Sequence, residues 1–137
     1  MNRELEKILY RDFPNLYRGR KMSIMENLMP FGFECNDGWF QLIYDLSYHI
    51  TKISPEAIAT QVKEKLAGLR FYVDDDSDAS DEVYDLTEDY ERLSVKICER
   101  CGEPGKVYED DHWYRTMCPS CRERFIVEYF RRVMKSR

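Results

Sequence analysis

Two Cys-x-x-Cys pairs, Cys98/Cys101 and Cys118/Cys121, stand sixteen residues apart towards the C-terminal end of the chain. A two-residue spacer lets both sulfurs of a pair turn onto one ion while the backbone amides of the turn screen thiolate charge, so the pattern is that of a four-cysteine metal site. Gly102 after the first pair and Pro119 inside the second are the punctuation such turns use. Four thiolates suit tetrahedral zinc, with iron as the alternative for the same donors. Four protein ligands leave no open position, so the expected cofactor is one structural Zn2+. Such an ion contributes about 10–16 kcal/mol of apparent free energy, comparable to a domain's whole net stability. Five cysteines with four in this spacing argue against a disulfide framework and for a reducing, cytoplasmic compartment, leaving Cys35 as a buried thiol.

Other chemistry is sparsely supplied. Asp111-His112 lies between the two pairs, and HNH-type nucleases resemble this in placing an Asp-His couple between two such pairs. Only five residues separate His112 from Cys118, too few for the strand and helix that present the nuclease metal, and no histidine follows Cys121. His49, the other histidine, sits at the edge of an apolar helix face, and no Gly-rich phosphate loop or nucleophile elbow occurs. The expectation is a protein that is not an enzyme, with a metal-dependent nuclease as the minor alternative. Asp74, Asp76 and Asp78 imitate the first ligands of a calcium loop, but Ala79 stands where glycine is required and Asp85 where the bidentate Glu belongs, so an exposed acidic loop is the reading.

Charge divides the chain into poles. Net charge is -5, yet 74–91 holds ten acids and no base, and 122–137 holds six bases against Glu123 and Glu128. Arg122, Arg124, Arg131 and Arg132, with Trp113, Tyr114 and Arg115 just before them, are the candidate contacts to a nucleic acid or a protein partner, through phosphate neutralisation and stacking. The competing reading is that these arginines flank a packed helix and pair with Glu123, Glu128 or the acidic segment. No stretch approaches the roughly 20 apolar residues of a membrane span.

The elements that must position these groups follow from periodicity. Leu5, Ile8 and Leu9 mark a first short helix, and Ser23 with Glu26 has capping-box spacing for a second. Trp39, Leu42, Ile43, Leu46, Ile50 and Ile53 define a longer core helix with Asp37 as its cap. Ser54-Pro55-Glu56 reads as a fresh helix giving way to a strand at Leu69, Phe71 and Val73, with a hairpin turning at Ala67 and Gly68 as the alternative. After the acidic loop a helix resumes near Asp81 and delivers the chain to Cys98. Two strands, 106–109 and 112–116, form the ribbon between the cysteine pairs. Phe125, Ile126, Tyr129, Phe130, Val133 and Met134 then make the broad apolar face of a final helix. The whole is an α+β fold, helices on a short sheet, with a body at 1–96 and a zinc-ribbon-like element plus basic helix at 97–137 joined in one unit.

Phe31 to Phe40 (FGFECNDGWF), Gln61 to Val73 (QVKEKLAGLRFYV), Ile97 to Lys106 (ICERCGEPGK) and Trp113 to Cys121 (WYRTMCPSC), taken in order, resemble a family of small proteins of bacteriophage and bacterial genomes that carries no established activity. In such relatives the fourth ligand is often histidine, where this chain has Cys121. The resemblance implies a phage or mobile-element setting and transfers no functional residue beyond the metal ligands. Together these readings predict a zinc-stabilised accessory factor that binds a host protein in the host cytoplasm, with a nucleic-acid-binding zinc ribbon as the alternative.

Overall fold

A computed structural model describes residues 1–110 and 112–136; Asp111 and Arg137, assigned above to the ribbon turn and the basic helix, lie outside the described residues. The fold is α+β, with four α-helices and two small sheets. Helix α1 (Arg3–Asp12) is capped by the Asn2 side chain, which accepts from the amides of Glu4 and Leu5. An irregular stretch with short 3₁₀ turns leads to strand β1 (Phe33–Glu34) and helix α2 (Phe40–Ile53), then strands β2 (Ile58–Lys65) and β3 (Gly68–Asp74) and helix α3 (Ser80–Ser94). The ribbon strands β4 (Lys106–Asp110) and β5 (Trp113–Met117) and helix α4 (Pro119–Lys135) complete the chain.

In the body sheet, β1 pairs parallel to β2 and β2 pairs antiparallel to β3. The core gathers on α2: Trp39, Ile43, Leu46 and Ile50 are fully buried together with Leu9, Tyr17, Met29 and Val62. Tyr17 is wholly enclosed because its hydroxyl meets Ser47 Oγ at 2.5 Å, which satisfies both groups in a dry interior. Cys35 is buried in the same core, and burial pushes its thiol up to about 12.

Three expectations change. Ser23 and Glu26 form one turn rather than a helix: the Glu26 and Asn27 amides both donate to Ser23 O, after which Asn27 turns inward to Ala59 O. Asp37 does not cap α2; its carboxylate accepts from Asn2 N at 2.7 Å and ties α1 to the start of α2. The segment from Ser54 is no helix, and the hairpin is the structure. A bulge between Ala59 and Gln61 shifts the register of β2, so its buried residues Ala59 and Val62 fall three apart and imitate helical spacing. The turn at Leu66 and Ala67 has φ of 52° and 73°, a conformation costing about 1–2 kcal/mol per non-glycine residue. It is held by Glu64, whose carboxylate accepts from Ala67 N at 2.8 Å, and by Thr116 Oγ1 of β5, which donates to Ala67 O at 2.8 Å.

Body and ribbon meet along Asn36–Trp39. Gly38 N donates to Glu99 O at 2.7 Å, Trp39 Nε1 donates to Ile97 O at 3.0 Å, and Asn36 N donates to the Glu99 carboxylate at 2.9 Å. The approach demands glycine at 38, since a Cβ there would lie 2.2 Å from Cys98 O and 2.5 Å from Glu99 O. Gly68 is a contrast: its added Cβ would be crowded by the movable Arg70 side chain at 3.2 Å, with Lys65 O and Glu91 Cγ at ordinary contact distances of 3.7 and 3.8 Å. Gly38→Ala is therefore expected to cost at least about 2 kcal/mol and Gly68→Ala clearly less, as read by urea unfolding of the metal-loaded protein. Equal costs would show that the Gly38 contact is not what fastens the ribbon.

Candidate metal centre

The first cysteine turn is built by a short reversal after α3. Cys98 N donates to Glu103 O at 2.7 Å and Gly102 N to Cys98 O at 2.9 Å, with Gly102 at φ +83°, where a side chain is strained. The second turn is the beginning of α4. Cys118 is its N-cap and Pro119 its first residue, and Cys121 N donates to Cys118 Sγ at 3.4 Å. The antiparallel pair β4–β5, in register from Lys106↔Met117 to Asp110↔Trp113, brings the second turn back beside the first.

All four sulfurs lie within 4.8 Å of one another, and Cys101 Sγ is 3.6 Å from Cys118 Sγ. A tetrahedral ion with bonds of about 2.3 Å to each thiolate sets sulfur–sulfur edges of about 3.8 Å, so the cluster is already at the size a metal requires. Cys98, Cys118 and Cys121 are buried and Cys101 is exposed, which gives the site one open edge. Among the described residues this is the one group in which three or more metal-ligating side chains converge. Asp74, Asp76 and Asp78 do not converge; Asp75 organises that loop instead, accepting from Ser54 Oγ at 2.9 Å and Ser77 N at 3.0 Å.

Electrostatics in the site divide the thiols. The Cys121 amide, with hydrogen bonds from the neighbouring thiols, holds the Cys118 thiol down at about 7. Burial raises Cys121; at Cys101 the Glu103 amide pulls down, but burial and the crowd of neighbouring thiols push it up to about 12. Four thiols this close share protons until a cation replaces them, so metal binding here releases protons and weakens as pH falls.

Packing cannot substitute for the ion. The cluster around the site consists of the three buried ligands and Met117, with Tyr108 and Phe125 partly buried against it. One buried methionine contributes about 1.5–3 kcal/mol, whereas ordering each residue of the ribbon costs about 1–2 kcal/mol. Thr116 and Glu99, both buried, complete the seam. The Glu99 carboxyl is raised by burial, with the Asn36 amide and Arg115 pulling the other way. Nothing in its residue type announced this seam; the Gly38-Trp39 neighbours were the available signal.

The other candidate residues are spread around the site. Arg124 donates to Cys121 Sγ at 3.3 Å, and Arg122 pairs with Asp110 at 2.8 Å while its guanidinium lies 4.0 Å from the Tyr108 ring centre. Arg115 lies over the Trp113 ring at 5.0 Å and reaches Glu99 at 3.8 Å. Trp113 and Tyr114 are exposed on β5, and Arg131 and Arg132 are exposed on α4. His112 occupies the ribbon tip at φ 70°, exposed, and His49 is exposed on α2 with its ring 6.5 Å from that of Tyr90. Helix α4 departs from the packed-helix reading: of its residues only Cys121 is buried, and Tyr129, Phe130 and Met134 are 55%, 59% and 70% exposed. Glu128, Tyr129 and Arg132 still border a cleft with Asn36, Arg100 and Arg115, whereas the side bearing Val127, Phe130 and Met134 is left exposed. Among the described residues no ion pair joins the acidic segment to α4, and no helix is long and apolar enough to cross a membrane.

Comparison with models of known protein families, with curated proteins and with solved structures finds no match. Chelation is expected to remove one metal per chain and to unfold the ribbon while α2 keeps its amide protection, as read by metal analysis with hydrogen exchange. Replacing Arg124 with Ala, which removes the donor to Cys121 Sγ, is expected to weaken metal affinity about 10-fold in a chelator competition.

Proposed function

We propose that this is a zinc-stabilised binding protein without catalytic activity, which docks a protein partner through the face made by Trp113 and the outer side of α4. The supporting observation is the unpartnered aromatic surface of that helix, clamped to the ribbon by the metal turn at its N-terminus. Trp113, Phe125, Ile126, Tyr129 and Phe130, with Asp110, border a trough of about 560 Å³. On the opposite side of the Trp113–Phe125–Tyr129 wall is a second cleft, of about 210 Å³, with Arg100, Arg115 and Arg132. Exposed aromatics beside arginines are the composition of protein-binding hot spots, where a few rigid rings in a water-excluding surround supply most of the affinity. The aliphatic share of the face, Val127 and Met134 among it, suits a side-chain partner better than stacked bases.

Zinc rather than iron follows from the role: a closed four-thiolate site that only holds two turns together needs no redox chemistry. The four sequence blocks that resemble small phage and bacterial proteins support a phage-encoded factor acting on a host protein in the cytoplasm.

A second reading has its own support. Arg124, Arg131, Arg132 and Lys135 form no carboxylate ion pair among the described residues, and with exposed Trp113 they would suit a single-stranded nucleic acid. Photo-crosslinking from position 130 in expressing cells, followed by purified binding of the captured protein, separates the two. The protein reading expects Phe130→Asp to weaken that binding at least about 30-fold with the metal content unchanged. Binding of oligonucleotides with a steep salt dependence, quenching Trp113 fluorescence, and no cross-linked protein would favour the second reading and reject the first.

A further inference from the structure

Among the described residues no ion pair joins the two charged poles of the chain, and each carries what the other lacks. On α4, Val127, Phe130 and Met134 are spaced to share one exposed stripe, 44%, 59% and 70% exposed, bordered by Arg124 and Arg131. Leu28, Tyr72 and Tyr84, over the buried Phe71 and Val73 and beside Thr60, Gln61 and Thr87, line an open groove of about 400 Å³ along β3 and α3. Its lining holds Arg70 as well as Asp74, but Arg70 is paired with Glu91 of α3, and Asp81 and Glu88, three residues before and four after Tyr84, share the exposed face of α3, so the surround is acidic on balance. One surface is a basic-bordered apolar ridge, and the other an acid-bordered apolar groove.

We infer that α4 of one molecule seats in the β3–α3 groove of a second copy, so that the free protein is a reciprocal dimer whose self-contact covers its own docking face. This rests on the reading of the α4 face as the binding surface and adds its regulation: a partner must displace the second copy. Nucleic acid is a poorer occupant, since ten acids at 74–91 in a chain of net charge -5 repel a polyanion over long range. A two-fold axis closes the exchange, giving two identical ridge-in-groove contacts and no open edge for further copies.

Sedimentation velocity on the zinc-loaded chain, from about 5 to about 200 µM protein at about 50 mM salt, tests this. A dimer with a micromolar dissociation constant is expected, weakening at least about tenfold at about 500 mM salt as the charged rims are screened. Tyr84→Arg in the groove and Phe130→Asp on the ridge should each reduce self-association at least about tenfold with metal content and circular dichroism unchanged. An equimolar mixture of the two variants should recover dimers, because the intact ridge of one fits the intact groove of the other. An α4–α4 dimer would instead ignore Tyr84→Arg, and that result overturns the inference, as does a monomer across the whole range. The partner assay keeps the two readings apart: Tyr84→Arg leaves the docking face intact and should bind the cross-linked protein at least as tightly as the unchanged chain. If self-association fails while that binding persists, only the dimer is wrong; if binding to the captured protein is indifferent to Phe130→Asp, the docking reading itself falls.

Discussion

Four sulfurs converging at one point is the constraint on which the C-terminal third of the molecule rests. The two cysteine turns are each locally encoded, one by a reversal through Gly102 and one by a proline-initiated helix, but bringing them together closes a loop of ribbon that has almost no apolar interior of its own. An ion with four strong bonds supplies in one place what a small element cannot gain from burial. Because Cys118 is also the N-cap of α4, the same bonds fix where that helix starts.

The ribbon is joined to the body by hydrogen bonds that end on backbone carbonyls. Gly38 passes against the Cys98–Glu99 carbonyls, Trp39 reaches across to Ile97, and Thr116 fastens the strained hairpin tip at Ala67. These contacts sit on both sides of the first cysteine pair, so loss of an ion held there would reach the body's edge while leaving the α2 core with its own packing. Helix α4 has no such counterpart. Its side bearing Val127, Phe130 and Met134 remains exposed, and that uncovered face is the observation behind the proposed binding role.

Much of this architecture can be read from residue order. The α2 stripe, the alternation of β3, the acidic loop, the ribbon strands and the proline start of α4 are local patterns, and each depends on spacing that neighbours in sequence determine. The misreadings share a cause. In β2 a bulge moved the buried residues to helical spacing; at Ser23 a promising capping box yielded a single turn because Asn27 was drawn into the body; at Asp37 a cap was spent on Asn2 instead. In each case a partner distant in the chain outbid a local preference. The arginines show the same limit: Arg122 and Arg124 are drawn to Asp110, Tyr108 and Cys121, whereas Arg131 and Arg132 face solvent, a division their identical residue type could not reveal.

By itself the sequence determined that four cysteines could enclose one ion, where the main helices lie and that charge is segregated along the chain, since all three are matters of residue type and spacing. Only the tertiary structure decided that Glu99 and Gly38 make the seam, that residues 58–74 form a bulged hairpin and that the apolar side of α4 is left uncovered. Those outcomes depend on which surfaces come within reach once the chain is folded, and reach is set by the sum of long-range contacts rather than by any local run of residues.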